Sequence, residues 1–281
     1  MSASAPDRGV DLRSFSGTLV LVGAGKMGSA LLTGWLKLGL DPKKVIVLEP
    51  KPSGEIAALK RRGVRINPTA KVRKPPAVIV LAIKPQIAPE VLPRLVTLVG
   101  PKTAVVSIMA GRPLRFLEQM LSRAAFVRAM PNTPAAIGRG ITVACPNAQV
   151  SKPQRALAHS LLAATGDVEW IENEALMDAV TAVSGSGPAY VFLLAETLAQ
   201  AGKAAGLPAV LAESLARATV AGSGELLHQS NVDAAILRAN VTSPGGTTAA
   251  ALDVLMGEGG LEGLMTKAVL AATRRGRDLA G

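Results

Sequence analysis

Five short apolar runs in the first half of the chain constrain the fold more than any other feature. They read "TLVLVG" (18–23), "KVIVLE" (44–49), "AVIVLAI" (77–83), "AVVSIM" (104–109) and "AFVRAM" (125–130). Their apolar residues are continuous rather than alternating, which is typical of strands buried on both faces of a parallel sheet. Stretches with helical apolar spacing separate the runs. Repeated strand–helix–strand units therefore predict an α/β fold with a doubly wound parallel sheet.

The rest of the chain adds edge strands and then changes to helix. "GITVAC" (140–145) and "DVEWIE" (167–172) can extend the sheet at one edge. From Glu174 onward the sequence is rich in Ala and Leu with helical spacing, and several segments are apolar on more than one face. So much apolar surface in a small all-helical domain predicts that its helices pack against a second copy of the chain.

The first run leads directly into a glycine-rich loop. Gly23, Gly25 and Gly28 form a G-x-G-x-x-G pattern between a strand and a helix. In such a loop the first glycine permits the turn, the second lets the backbone approach a pyrophosphate, and the third lets the helix lie close to the strand. The free N–H groups at the helix start favour phosphates. The pattern predicts a dinucleotide site, with contacts from Gly23, Ala24, Gly25, Lys26, Met27 and Gly28.

Two further positions belong to this predicted cofactor site. Glu49 ends the second run about 20 residues after the loop, where an acid accepts from the ribose 2′-hydroxyl and favours NAD. Lys51, with Ser53, Arg61 and Arg62, follows nearby and could receive the 2′-phosphate of NADP. The sequence leaves NAD and NADP both open. The loop after the third run, with Ala82, Lys84 and Pro85, is expected along the nicotinamide half, although an exposed lysine at a strand end explains it too.

Composition excludes several classes of function. The first 150 residues carry 22 Lys+Arg against 7 Asp+Glu, but aromatics are only 2% of the chain, so a stacking platform for nucleic acid is missing. Cys145 is the single cysteine, which excludes an intrachain disulfide and a multi-cysteine metal site. The apolar runs are too short to span a membrane, and residues 1–17 lack the apolar region of a secretory signal. We expect a cytoplasmic protein without metal, nucleic-acid or membrane partners.

Conventional acid–base chemistry is also missing. His159 and His228 are the only histidines, and no H-E-x-x-H, G-x-S-x-G or cysteine–histidine pattern occurs. Hydride transfer to a polarised C=N bond needs only positioning, a dry site and a hydroxyl near the nitrogen. A turn at Ser243–Thr248 offers hydroxyls and two glycines at the start of an Ala-rich helix. Such a turn is either an ordinary N-cap or an anion site.

Four segments resemble one family, the pyrroline-5-carboxylate reductases. They are "VGAGKMGSALLTGWL", "VRAMPNTPAAIGRGIT" (127–142), "VSGSGPAYVFLLAETLAQAGKAAGLP" (183–208) and "NVTSPGGTTAAALDVL" (240–255). The resemblance extends from about Thr18 to Asp278. It implies reduction of Δ1-pyrroline-5-carboxylate to L-proline, the last step of proline biosynthesis, with NADPH or NADH. It also implies a dimer intertwined through its C-terminal helices, often assembled into a decamer, a pentamer of dimers.

The resemblance also implies roles for individual residues. Ser243, Gly246, Thr247 and Thr248 would hold the substrate carboxylate and ring nitrogen, facing a partner's nucleotide domain, and Thr248 would be catalytic through a hydrogen bond to the imine nitrogen. Asn132 and Thr133 would lie at the nicotinamide end. Ser184, Ser186 and Gly187 would contact substrate, although tight helix packing explains the glycines of this segment equally well. Ala70 departs from the Asn or Ser that often contacts the adenosine ribose in the family.

These observations predict three parts: a flexible tail at 1–17, a Rossmann-like dinucleotide-binding domain at 18–172, and a helical substrate-binding and dimerisation domain at 173–281. Two alternatives stay open. One is a related imine or β-hydroxyacid reductase, although the β-hydroxyacid type would place a lysine near the start of the helix that reads "SGSGPAYVFLLAE". The other is a regulatory protein that senses a dinucleotide without turning it over.

Overall fold

The computed structural model describes residues 9–69, 74–122 and 124–280. Contacts divide the chain into two compact units, Met1–Gly185 with Thr273–Gly281, and Ser186–Ala272. The first unit thus includes residues 173–185, which the sequence pattern assigns to the helical domain. The physical reason is burial, because Met177 belongs to the apolar core beneath the sheet.

The first unit is built on an eight-stranded sheet with the order β3-β2-β1-β4-β5-β6-β7-β8. The strands are β1 (Leu19–Val22), β2 (Val45–Leu48), β3 (Arg65–Ile66), β4 (Val78–Leu81), β5 (Ala104–Ser107), β6 (Ala125–Met130), β7 (Gly140–Pro146) and β8 (Gly166–Trp170). Every predicted run forms a strand, and β7 and β8 occupy one edge as expected. The two-residue β3 was not predicted, since two residues carry no pattern.

The sheet is parallel except at one place. β7 runs antiparallel to β6, whereas β8 is parallel to β7. A parallel neighbour needs a crossover of about a dozen or more residues. The connection at 131–139 holds only one short 3-10 helix, Thr133–Ile137, so the chain turns back beside β6.

Both faces of the sheet are covered by helices. Those of the first unit are α1 (Lys26–Lys37), α2 (Gly54–Ala58), α3 (Ala88–Val91), α4 (Leu114–Leu121), α5 (Lys152–Leu162) and α6 (Met177–Val180). Alternate residues of β1 enter different cores: Leu19 and Leu21 join one apolar cluster, and Val20 and Val22 the other. Trp35 of α1 is fully buried and donates its indole N–H to the carbonyl of Leu161, 2.7 Å away. The alternation explains why the strands read as continuous apolar runs.

The prediction of a flexible tail at 1–17 is wrong for residues 9–17, the part of it that the structure describes. Within residues 9–17, Leu12 and Phe15 are buried in the same cluster as Trp35. Asp11 caps a 3-10 helix at Leu12–Ser14 by accepting from the Arg13 N–H, and the Lys44 ammonium donates to the Phe15 carbonyl. Two apolar side chains anchor this segment, which a short polar sequence does not reveal. Residues 1–8 lie outside the described part of the chain.

The second unit is helical. It contains α7 (Gly187–Ala204), α8 (Ala209–Gln229), α9 (Ala234–Asn240) and α10 (Thr247–Leu255), and α11 (Leu261–Ala280) begins in it. α7 and α8 pack through small residues, with Ala199, Ala212 and Ala216 buried. Long apolar side chains stay exposed, including Phe192 at 69% and Val210 at 82%. No helix among the described residues is long and apolar enough to cross a bilayer.

Candidate active site

The glycine loop has the geometry that a dinucleotide requires. Gly23 has a φ of +90° and donates its N–H to the Leu48 carbonyl at 2.8 Å. A Cβ on Gly28 would overlap the Gly23 carbonyl oxygen and lie 3.2 Å from the Ala82 Cβ. A Cβ on Gly25, by contrast, would meet no atom within 4 Å. Gly23 and Gly28 are therefore required by the fold, whereas Gly25 leaves open space at the N-terminus of α1.

A cavity of about 630 Å³ begins at this loop and follows the carboxyl ends of β1, β2 and β4. Six predicted cofactor residues line it: Gly23, Gly25, Glu49, Lys51, Ala82 and Lys84. Apolar side chains complete the wall: Ile87, Val91, Leu95 and Leu98. An open helix start for phosphates, a carboxylate for ribose hydroxyls and an apolar wall for an adenine ring fit a nicotinamide dinucleotide.

The Glu49 carboxylate is held in place at the wall of this cavity. One carboxylate oxygen accepts from the Ala24 N–H at 2.8 Å, and the other accepts from the Lys51 N–H at 3.0 Å. Ser53 instead caps α2 by accepting from the Ile56 N–H, and among the described lining residues neither Arg61 nor Arg62 appears. Of the cations that the sequence offers for a 2′-phosphate, Lys51 is the one that reaches the cavity. Ala70 lies outside the described residues.

The loop after β4 is fixed by a contact that the sequence does not indicate. The Arg112 guanidinium donates twice to the Pro85 carbonyl, at 3.2 and 3.0 Å, and stacks over the Phe116 ring at 4.6 Å. This contact holds the backbone beside Lys84, which is exposed and lines the cavity.

The remaining predicted cofactor residues are not among the residues that line this cavity. Lys26, Met27 and Gly28 form the first turn of α1. Asn132 accepts from the Ile141 N–H at 2.9 Å, and Thr133 is exposed at the start of the next 3-10 helix. The Asn132 side chain is therefore engaged in holding the 131–139 connection against β7.

The glycines at 184–187 have different explanations. A Cβ on Gly185 would lie 2.6 Å from the terminal methyl group of Met130, so packing favours a small residue there, although the flexible Met side chain can move. A Cβ on Gly187 would meet nothing within 4 Å, so packing does not explain it. Ser184 donates its hydroxyl to the Val180 carbonyl, and Ser186 precedes the first residue of α7.

The turn at 243–248 presents unused donors. Gly245 has a φ of +67°, and the Gly246 N–H donates to the Ser243 carbonyl at 3.0 Å. Gly246 is the N-cap of α10 and supplies no side-chain cap, so the first amides of the helix have no partner from that residue. Among the described residues, no side-chain hydrogen bond is found for Ser243, Thr247 or Thr248. An ordinary N-cap would use these hydroxyls, and their availability favours an anion site.

Cys145 and His159 have packed or hydrogen-bonded surroundings. The described residues contain no group of three or more His, Cys, Asp or Glu that could hold a metal. Burial, together with the nearby Glu174 and Glu172 carboxylates, raises the pKa of the Cys145 thiol to about 11. His159 accepts from the Trp170 indole N–H at 3.2 Å. Cys145 is therefore a core residue rather than a nucleophile.

Sequence reasoning missed Asn67 and Arg94, which also line the cavity. Asn67 has a φ of +45°, a conformation that Asn adopts more readily than most other residues. Asn67 directly follows β3 and its partner Glu49 directly follows β2, so residue spacing along the chain does not indicate the contact.

The fold and the cavity define a dinucleotide-binding oxidoreductase. Residues 18–111 match a family model described as NADP oxidoreductase, coenzyme F420-dependent, and residues 174–279 match one described as pyrroline-5-carboxylate reductase dimerisation. A pyrroline-5-carboxylate reductase from Synechocystis is 39% identical over 263 residues, which cover 93% of this chain and 97% of that protein. The chain belongs to the pyrroline-5-carboxylate reductase family.

Further relatives agree over nearly the full chain. The Pisum sativum pyrroline-5-carboxylate reductase is 36% identical over 95% of this chain and 97% of that protein. A solved Coxiella burnetii pyrroline-5-carboxylate reductase superposes with a TM-score of 0.88 at 33% identity, over 95% of this chain and all of the other. A Plasmodium falciparum pyrroline carboxylate reductase solved with NADP bound gives a TM-score of 0.77 at 29% identity, over 95% and 99% of the two chains.

Proposed function

We propose that this protein reduces Δ1-pyrroline-5-carboxylate to L-proline with NADPH or NADH, the last step of proline biosynthesis. The observation that carries the proposal is the pair of a dinucleotide cavity at the glycine loop and an open, hydroxyl-lined helix start at 243–248. When bound, the reduced nicotinamide supplies a hydride to the carbon of the C=N bond. A proton must reach the nitrogen so that the bond becomes CH–NH.

The cofactor residues have separate tasks in this proposal. The amides at the start of α1 bind the pyrophosphate, with space left by Gly25. Glu49 accepts from the adenosine ribose, and Lys51 lies near the same end of the cavity. The loop that Arg112 holds, with Ala82 and Lys84, lies along the nicotinamide half, and Asn132 and Thr133 close its far end.

The substrate residues are proposed to act through charge and geometry. The amides of Gly246 and Thr247 and the Ser243 hydroxyl bind the carboxylate, since the start of α10 carries a partial positive charge. The Thr248 hydroxyl donates to the ring nitrogen and thereby orients the imine and assists its protonation. Ser184, Ser186 and Gly187 complete the ring pocket. In this proposal the turn faces the nucleotide-binding domain of a partner chain.

Self-association follows from the apolar surface of the helical unit. Exposed side chains such as Phe192 and Val210 are too large and too many for a solvated face, and the family model that matches residues 174–279 is described as a dimerisation region. We propose a dimer formed through α7–α11, assembled further into a pentamer of dimers, and working in the cytoplasm. A single buried cysteine suits such a reducing compartment.

The test is a spectrophotometric assay. Purified protein mixed with NADPH and pyrroline-5-carboxylate should lower absorbance near 340 nm and form stoichiometric proline. Thr248→Ala should lower kcat/KM about tenfold or more, the effect of losing one or two hydrogen bonds in the transition state. Thr248→Ser keeps the hydroxyl and should recover most of the activity.

Thr242→Ala is the matched control, because its hydroxyl donates to the Arg238 carbonyl at the end of α9. It should leave kcat/KM close to that of the unaltered enzyme. Cofactor binding without turnover would favour a sensing protein instead. Oxidation of NADPH with a β-hydroxyacid or another imine, but not with pyrroline-5-carboxylate, would favour a related reductase.

A further inference from the structure

The side chain of Asn67 extends the pairing of β2 with β3 beyond the last strand residue. Its backbone N–H donates to the Val47 carbonyl at 2.9 Å. Its side-chain amide donates to the Glu49 carbonyl at 2.7 Å, and its side-chain oxygen accepts from the Glu49 N–H at 2.9 Å. One side chain therefore binds both backbone polar groups of Glu49.

The contacts continue from Glu49 to the glycine loop. Its carboxylate accepts from the amides of Ala24 and Lys51, so Asn67, Glu49 and Ala24 connect the carboxyl ends of β3, β2 and β1. We call this series the Asn67–Glu49–Ala24 bridge. An ionised carboxylate has about four lone-pair sites, and two amide bonds leave capacity for ribose hydroxyls. The bridge holds the carboxylate in one orientation, so its remaining lone pairs point in a fixed direction.

We infer that Asn67 is a positioning residue that fixes the Glu49 carboxylate against the adenosine ribose, so that the enzyme discriminates between cofactors at the ribose 2′ position. The inference rests on the proposed function only for the identity of the ligand. A fixed carboxylate accepts from a 2′-hydroxyl but repels a 2′-phosphate. The bridge therefore raises the affinity for NADH relative to NADPH.

The cations of the same cavity do not cancel this effect. Arg94 is paired with Glu90 at 2.8 Å, and both side chains are about 70% exposed, at 72% and 71%. The Lys51 and Lys84 side chains, which also line the cavity, are exposed as well. Exposed cations are mobile and screened by water, and each interacts weakly. Glu49 is partly buried and held at both carboxylate oxygens, so its charge cannot move away from the ligand.

The experiment measures equilibrium dissociation constants for NADPH and NADH by nicotinamide fluorescence, without substrate. Asn67→Gly keeps the left-handed backbone accessible and removes both side-chain bonds. We expect the ratio Kd(NADPH)/Kd(NADH) to fall about threefold to tenfold, corresponding to one or two hydrogen bonds. Asn67→Ser, which is too short to reach both backbone groups, should change the ratio in the same direction if the glycine variant does not fold.

Two controls separate positioning from simple stabilisation. Ser122→Gly alters the other non-glycine residue found at positive φ in the described chain, outside the cavity, and should leave the ratio unchanged. Glu49→Gln should lower the ratio by itself, and adding Asn67→Gly to it should change the ratio no further, because Asn67 acts through that carboxylate. In the cofactor-free protein, hydrogen exchange at the Ala24 amide should be faster in Asn67→Gly.

An unchanged ratio in folded Asn67→Gly and Asn67→Ser, with both dissociation constants raised equally, would show a structural role alone and overturn the inference. Additive effects of the two substitutions would overturn it as well. Loss of proline formation with intact binding of both cofactors would contradict the proposed function and leave the inference standing.

Discussion

The contrast between two glycines of the same loop gives the sharpest test of where the cofactor lies. Gly25 and Gly28 are three residues apart, yet a Cβ at Gly25 would meet open space, and one at Gly28 would overlap the Gly23 carbonyl oxygen. Alanine at the two positions should therefore separate cofactor binding from folding. At Gly25 the backbone is extended, with φ −68° and ψ −166°, which alanine also adopts.

The expected magnitudes follow from these contacts. For Gly28→Ala, overlap with a backbone atom costs up to about 3 kcal/mol. Alanine stabilises a helix by about 1 kcal/mol relative to glycine, so the net decrease in the free energy of unfolding is about 2 kcal/mol. That loss lowers Tm by about 4–8 °C in a domain of this size. Gly25→Ala should cost less than about 1 kcal/mol of stability, because only the N-cap preference changes.

Cofactor binding should be affected more by the substitution at Gly25, although that substitution costs less stability. In Gly25→Ala the added methyl group occupies the space beside the first amides of α1, where the pyrophosphate must lie. We expect the dissociation constant for NADPH to rise at least tenfold, which is about 1.4 kcal/mol. Thermal unfolding followed by circular dichroism, together with a fluorescence titration of NADPH, measures both quantities on the same samples. Gly25→Ala with unaltered NADPH affinity would refute the placement of the pyrophosphate at this loop.

Three further predictions follow from other contacts. Glu49→Ser should shift relative kcat/KM toward NADPH, and unchanged relative values would remove Glu49 from the ribose site. Arg112→Ala should raise the KM for the cofactor about threefold or more. Arg112→Lys should recover only part of the loss, because lysine lacks the guanidinium fork that donates twice to Pro85. A KM in both variants equal to that of the unaltered enzyme would contradict this. Since folding raises the Cys145 pKa from 9.0 to about 11, the thiol contributes stability that is complete below pH 9 and lost as pH rises toward 11. The difference in unfolding midpoint between the unaltered protein and Cys145→Ala should therefore shrink over that range, and a constant difference would contradict the assignment.

Much of the first unit could be read from the sequence because its signals are local. The continuous apolar runs, the glycine loop and the acid at 49 each depend on a few adjacent residues, and β1, β2, β4, β5 and β6 formed where the runs predicted. The same holds for the start of α10 at Thr247, where a glycine-rich turn precedes an Ala run. Local patterns indicate burial and backbone conformation, and these depend little on which distant residues come into contact.

Other predictions depended on residues far apart in the chain. The 9–17 segment packs because Leu12 and Phe15 meet the same core as Trp35, and a flexible tail was the wrong expectation. The short connection between β6 and β7 makes the two strands antiparallel if they are neighbours. That they are neighbours in the sheet was visible only in the structure. Gly185 lies beside the Met130 side chain, a neighbour that is 55 residues away in the sequence and that no local pattern indicates.

The sequence alone determined that this chain carries a parallel sheet with a dinucleotide loop, followed by helices that need a partner. It also supplied the hydroxyls and glycines of the late turn. Tertiary structure alone decided how those parts are held: Asn67 against Glu49, Glu49 against the Ala24 amide, and Arg112 against Pro85. The physical reason is that a hydrogen bond depends on where two strand ends or loops meet in space, and residue spacing along the chain does not fix that distance.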